Sequence, residues 1–213
     1  MTSADNLVEG SKRAGVRWAA GAMLTMALPF VLAGCISVGI GGGGKPLPSL
    51  VTLTPAVQAP AGQTLSSTSS DPLVVLSPEV DRTLATTRIP VQISDSAVAY
   101  LTGAAWLEQP GHLFQDLLIE TIRARGKRLV LDDNLPQTVT RLSGRLDAMG
   151  YDARSRAVTV RFDAVRVGRN GVTTARRFEA VQKDIGPLAT DITPALDLAA
   201  NDVAGQVADW VDQ

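Results

Sequence analysis

Two residue types with chemical potential occur once each in the chain, Cys35 and His112. A lone thiol cannot close an internal disulfide, and one cysteine with one histidine cannot build a structural metal site. A Ser/His/Asp hydrolase would have to use His112 as its base. No G-x-S-x-G turn raises a serine as nucleophile, and Ser143 in "LSGRL" does not match one. Asp132 and Asp133 read as a turn, a place where aspartates commonly bond the backbone. His112 follows Pro110-Gly111 and reads as a partly exposed residue at a helix start. The residues therefore point away from an enzyme, and no catalytic group, metal or cofactor is expected. With 20 basic and 21 acidic residues the formal charge is −1, which offers nucleic acid no electrostatic footing.

What remains is the position of Cys35. Lys12, Arg13 and Arg17 precede an uncharged run, Trp18 to Gly34, "WAAGAMLTMALPFVLAG". A membrane-spanning helix needs about 20 apolar residues. This run is shorter and carries Pro29 near its end, so a basic n-region followed by a secretory h-region fits better. The run closes on Leu32-Ala33-Gly34-Cys35, which resembles the lipobox of bacterial lipoproteins. That resemblance implies a signal peptide over 1–34, cleavage before Cys35, a diacylglycerol on its thiol and an acyl chain on its new amine. Several chains on one residue make attachment to a membrane effectively permanent, since each buried methylene contributes about 0.8 kcal/mol. In such lipoproteins Asp after the cysteine tends to hold the protein at the inner membrane. Ile36 and Ser37 stand there instead, which implies the outer membrane, facing the periplasm.

Residues 35–49 are expected to form a tether. The stretch "GIGGGGKPLPS" joins a flexible glycine run to extended Pro-containing chain, and about fifteen such residues span about 20 Å as a coil. A phosphate-binding loop is the competing reading, but the Lys-Ser/Thr ending and the preceding strand are absent.

Residues 50–213 are expected to form one domain. Strands are expected at 50–54, 73–77, 88–94 and 97–101, the last two as a hairpin. In 88–94 the alternation predicts Ile89, Val91 and Ile93 facing inward, with Pro90 at a strand start or a sheet edge. Residues 59–72, small and polar, are expected as a surface loop between two early strands. Leu113, Phe114, Leu117, Leu118 and Ile122 predict a helix over 112–126 that stops at Gly126. A short strand is expected at 128–131. From 138 to 182 the pattern predicts a three-strand meander. Leu142, Gly144, Leu146 and Ala148 share one face, a bulge falls near Ala164, and the hairpin at Asn170-Gly171 joins the last two strands. A closing helix is expected over 194–212, capped by Thr193 with Pro194 in its first position. The fold class is α+β: antiparallel sheets, from the early strands and the meander, packed against two main amphipathic helices.

Within this order, residues 88–122, "RIPVQISDSAVAYLTGAAWLEQPGHLFQDLLIETI", carry a further pattern. An arginine opens a strand, a second strand follows, and a W-x-E-x-P segment at Trp106, Glu108 and Pro110 leads into the helix. Together with the lipobox, this resembles the ABC-type transport auxiliary lipoprotein family, which includes PqiC-like proteins. The first strand departs from that family, reading "SLVTLTP" where a tyrosine is common. The resemblance implies a non-catalytic periplasmic component of an MCE-type lipid transport system, docking onto an MCE-domain protein of an ABC transporter. A homo-oligomer is a further possibility, and a general envelope scaffold binding peptidoglycan or another outer-membrane complex is the alternative. Tyr100, Trp106 and Glu108 are the candidate docking residues. Each also has a structural reading: the aromatics as filling between sheet and helix, and Glu108 as a helix cap or a partner of Arg88.

Overall fold

In a computed structural model, residues 47–64, 66, 72–131 and 139–213 are described. The lipobox Leu32–Cys35, most of the expected tether and Asp132-Asp133 lie outside the described residues. The elements in chain order are β1 (Ser49–Val51), β2 (Leu73–Val75), β3 (Glu79–Val80), β4 (Pro90–Gln92), β5 (Val98–Tyr100), β6 (Ala104–Trp106), α1 (Pro110–Ala124), β7 (Val130–Leu131), β8 (Thr140–Asp152), β9 (Ala157–Val167), β10 (Thr173–Gln182) and α2 (Ala189–Val211). The architecture is α+β, as the pattern predicts.

The thirteen-residue β8 is the spine. One edge pairs antiparallel with β9, which pairs antiparallel with β10, so the meander forms as expected. The other edge is shared in sequence by three short strands, all parallel: β2 beside Thr140–Leu142, β3 beside Arg145–Leu146 and β4 beside Tyr151–Asp152. These parallel contacts, and those of β2 with β7 and β1 with β6, are a correction to the all-antiparallel expectation. Strands of two or three residues carry too little alternation to reveal their partner's direction. The 88–101 hairpin forms as β4–β5, with Pro90 opening its strand. Ile93 nevertheless lies beyond the pairing and is exposed.

The meander departs from its expected phase in one place. The bulge lies in β8, between Leu146 and Ala148, and not near Ala164. The extra residue, Asp147, moves the inward set from Leu142 and Leu146 to Met149 and Tyr151, leaving Ala148 off the core face. β9 keeps its phase through Val158, Val160, Phe162 and Ala164. Gly144 answers to Phe162: a Cβ there would stand 2.6 Å from the ring's Cζ and would overlap the Asp163 carbonyl oxygen. The ring then reaches α1, meeting Phe114 edge-on at 5.2 Å. At Asn170-Gly171 only Gly171 has positive φ, at 78°. The Gly171 N–H donates to the Gly168 carbonyl and the Gly168 N–H to the Val172 carbonyl, which makes a three-residue loop with glycine at its bulge.

Both helices lie on the inward face of the meander, with one buried core between them and the sheet. α1 begins two residues before the expected start, with Pro110 in its first position, and Gly126 (φ 66°) ends it. α2 begins five residues before its expected start. Leu188, not Thr193, is its cap residue, and Pro194 lies inside the helix. Proline removes the N–H that would bond Thr190, and the Thr193 hydroxyl donates back to the Ala189 carbonyl at 2.9 Å. The inward stripe of α2 is mostly Ala and Val, with Ala199, Ala200, Val203, Ala204 and Val207 fully buried.

Residues 52–59 are not strand beyond Val51 but a strap across the helices. The Thr54 and Ala56 N–H groups donate to Asp197 and Asn201 on α2, at 2.7 and 2.8 Å. The Asn201 side chain returns a bond to the Thr54 carbonyl, and the Ala59 N–H donates to Glu120 on α1.

Candidate functional site

The W-x-E-x-P segment spans the end of β6 and the start of α1, so three successive environments separate its residues. Trp106 pairs with Val51 across the parallel ribbon and donates its backbone N–H to the Thr87 carbonyl at 2.7 Å. Its side chain is 1 % exposed, and its indole N–H has no partner. It belongs to the core between ribbon and helices. Glu108 is exposed in the connection. It does not cap α1, whose cap residue Gln109 makes no side-chain bond. Nor does it meet Arg88, which instead lies over the Tyr100 ring at 4.2 Å. Tyr100, on β5, is half-buried beneath that guanidinium. Trp106 and Glu108 thus face opposite ways, and of the three candidates only Tyr100 and Glu108 reach the surface.

His112 is exposed in the first turn of α1, and Ser143 lies mid-strand in β8 opposite Val165. Among the described residues no group of three His, Cys, Asp or Glu side chains is placed to hold a metal ion. Nor, among them, is any helix long and apolar enough to cross a membrane.

The outward face of the meander holds a feature the sequence analysis missed. Each strand carries an arginine two residues before an acid: Arg145 and Asp147, Arg161 and Asp163, Arg177 and Glu179. The registers bring these together. Arg177 bonds Asp163 at 2.6 Å and reaches Asp147 at 3.3 Å, Arg145 meets Asp147 at 2.7 Å and Asp81 at 3.3 Å, and Arg161 pairs with Glu179. The Arg177 side chain holds the Asp163 carboxyl below its usual range, against the opposing effect of burial. Bonds from the Thr83 N–H and hydroxyl do the same for Asp81. The period-two recurrence of opposite charges was the available signal. Beside this face lies an open cleft of about 440 Å³ lined by Asp81, Gln92, Asp147 and Tyr151.

At the far end of the sheet Arg166 turns inward, a residue that the bulge expected near Ala164 would have sent to the outer face. It donates to the last carbonyls of α2, Trp210 and Val211, at 3.2 and 3.3 Å and lies 5.2 Å from the Trp210 ring. Its charge meets the negative end of the helix dipole. Arg128 lies 3.4 Å from the buried Asp212 carboxylate. Arg128 and Arg166 line an open cleft of about 380 Å³, and these contacts already occupy their charge.

Residues 52–208 match the model of a family described as the ABC-type transport auxiliary lipoprotein component. The chain belongs to this family. The match runs from the strap to the last turns of α2 and contains the W-x-E-x-P segment. Among solved structures, protein XCC0632 from Xanthomonas campestris is similar over 77 % of this chain and 95 % of its own, at 16 % identity and a TM-score of 0.64. A second, an uncharacterised protein, is similar over 67 % and 93 % at 14 % identity and a TM-score of 0.59. These two likenesses show the shared fold. A PelC dodecamer from Paraburkholderia phytofirmans also matches, at 15 % identity over 70 % of this chain and 97 % of its own, with a TM-score of 0.37. A search of the curated proteins found no match. As an ABC-type transport auxiliary lipoprotein, the chain is an accessory component of a transport system of the cell envelope.

Proposed function

We propose that this lipoprotein is held in the outer membrane by acyl and diacylglycerol chains on Cys35. Its folded domain faces the periplasm and serves, without catalysis, an ABC/MCE-type lipid transport system linking inner and outer membranes. The observation that carries the reading is the family match over 52–208 lying downstream of a lipobox-like "LAGC". Ile36 and Ser37 after the cysteine support the outer membrane. The MCE-domain partner follows from the resemblance of residues 88–122. Half-buried Tyr100, with Arg88 over its ring, offers it the aromatic and arginine contacts that interfaces favour, and exposed Glu108 a polar contact of the kind found at their rims.

Two measurements test this. Cells fed a palmitate analogue should label the wild-type protein and not Cys35→Ala. Label retained after Cys35→Ala would overturn the anchor. Crosslinking followed by capture from envelope membranes should recover an MCE-domain protein or an ABC component. Recovery of peptidoglycan or another outer-membrane complex alone would favour the general scaffold.

A further inference from the structure

β1 and β6 form a two-stranded parallel ribbon separate from the main sheet, with Leu50 opposite Ala105 and Val51 opposite Trp106. Alternation sends Val51 and Trp106 to the core and leaves Leu50 and Leu107 outside, 65 % and 55 % exposed. The Leu107 N–H donates to the Val51 carbonyl at 2.8 Å, which fixes Leu107 beside the end of β1. Leu188, 63 % exposed, precedes Ala189, whose Cβ lies 3.8 Å from where a Cβ on Gly103 would stand, at the start of β6. Leu47, 91 % exposed, leads into β1. Single exposed leucines are ordinary, but here Leu50 and Leu107 share the outer face of the ribbon while Leu47 and Leu188 flank its start.

We infer that this leucine rim seats on a lipid surface, the same bilayer that holds the acyl chains of Cys35; the inference rests on the acylation proposed above. Two observations select the occupant. The first is where the chain outside the described domain ends. Only residues 36–46 separate Cys35 from Leu47, a length of chain that can reach at most about 40 Å. Leu47, where the chain enters the rim, is therefore held within that reach of the membrane, at an effective concentration in the millimolar range, where a contact too weak for free solution becomes populated. The second is composition. The four rim residues are all leucine, a purely aliphatic surface, with exposed Glu108 and Arg88 on the segments beside it.

The test uses the full lipidated protein in vesicles of phosphatidylethanolamine and phosphatidylglycerol. Because Cys35 is the only native cysteine, an introduced thiol is the single site for an environment-sensitive fluorophore once Cys35 is acylated. Leu107→Cys reports on the rim, with Leu188→Cys as a second reporter should the first fold poorly. Val172→Cys is the control: it is 58 % exposed but lies beyond the other end of the 23-residue α2, about 35 Å away. The rim probes should blue-shift and lose intensity to doxyl-labelled acyl chains, and the control should not. Leu50→Ser with Leu107→Ser should abolish that quenching at Leu188→Cys while the vesicles still carry the protein in flotation. Protein that floats with rim and control probes equally wet overturns the rim and leaves the anchor standing. Wild-type protein that does not float overturns the anchor, and the rim with it.

Discussion

At the scale of residues, burial separates neighbours that the sequence treats alike. Trp106 and Glu108 stand two positions apart in one motif, yet one is core and the other is solvated. Trp106→Ala should cost about 3–5 kcal/mol of stability, read by urea unfolding of the soluble domain, whatever its effect on partners. Glu108→Lys should leave stability within about 0.5 kcal/mol and reduce crosslinking to the transport partner; unchanged crosslinking would remove Glu108 from the docking surface. Gly144→Ala should also destabilise, by about 1–3 kcal/mol or more, because its methyl meets the Phe162 ring and the β9 backbone at once. The sequence marked Gly144 as inward-facing but could not say why glycine stood there. That reason is a ring from the next strand, a contact invisible until register is known. Arg166 was hidden for a related cause: a charged residue at an inward position looks like a phase error until the helix end it caps is in view.

Elements were legible in proportion to their length. The α1 stripe and the three meander strands repeat their pattern often enough to be read, whereas β2, β3 and β7 have too few residues to announce partner or direction. α2 was misjudged because Thr-Pro imitates a helix start. Ala189–Thr193 are helical ahead of it because Ile192 reaches the core and that burial outweighs the missing bond at Pro194. Pro194→Ala should restore that bond and stabilise the protein by about 1–3 kcal/mol, measured as a raised unfolding midpoint. The strap makes a separate prediction. Asn201→Ala removes one bond in each direction, so the Ala56 amide should exchange much faster while β8 and β9 amides keep their protection. On the outward face, the Asp163 carboxyl titrates below its unfolded value near 3.9, so it binds fewer protons when folded. Its contribution to stability is present above that value and fades as pH falls through the native one. Wild type should therefore exceed Asp163→Asn in stability at pH 7, with the gap shrinking as pH falls below that unfolded value and narrowing in high salt.

The whole folded domain has two dissimilar ends. Around the ribbon lie the entry of the chain, the leucine rim and Glu108, while the far end is occupied by the capped terminus of α2 and the β9–β10 turn. If the domain is self-sufficient, a chain beginning at Leu47 should melt at the same temperature as the soluble Cys35→Ser protein, and a lower melting point would show that the preceding segment contributes packing. The family, the helix pair and the meander were all within reach of the sequence. The parallel joining of early strands to β8 was not, because it depends on pairings between residues as far apart in sequence as Leu73 and Thr140, or Val91 and Tyr151.

That joining also sets an order of events. β2, β3 and β4 join the main sheet only through β8; before Thr140 emerges, β2 can meet only β7 and β4 only β5, while β3 has no partner. During synthesis from the amino end, the first half of the domain therefore emerges with β3 unpaired and the edges of β2 and β4 that face β8 open, and folding must close long loops late and slowly. A fragment ending before Thr140 should remain unfolded and bind holding chaperones. Adding a separate chain of residues 139–213 should restore the sheet, and the rate of that restoration should reveal β8 as the nucleus on which the rest condenses.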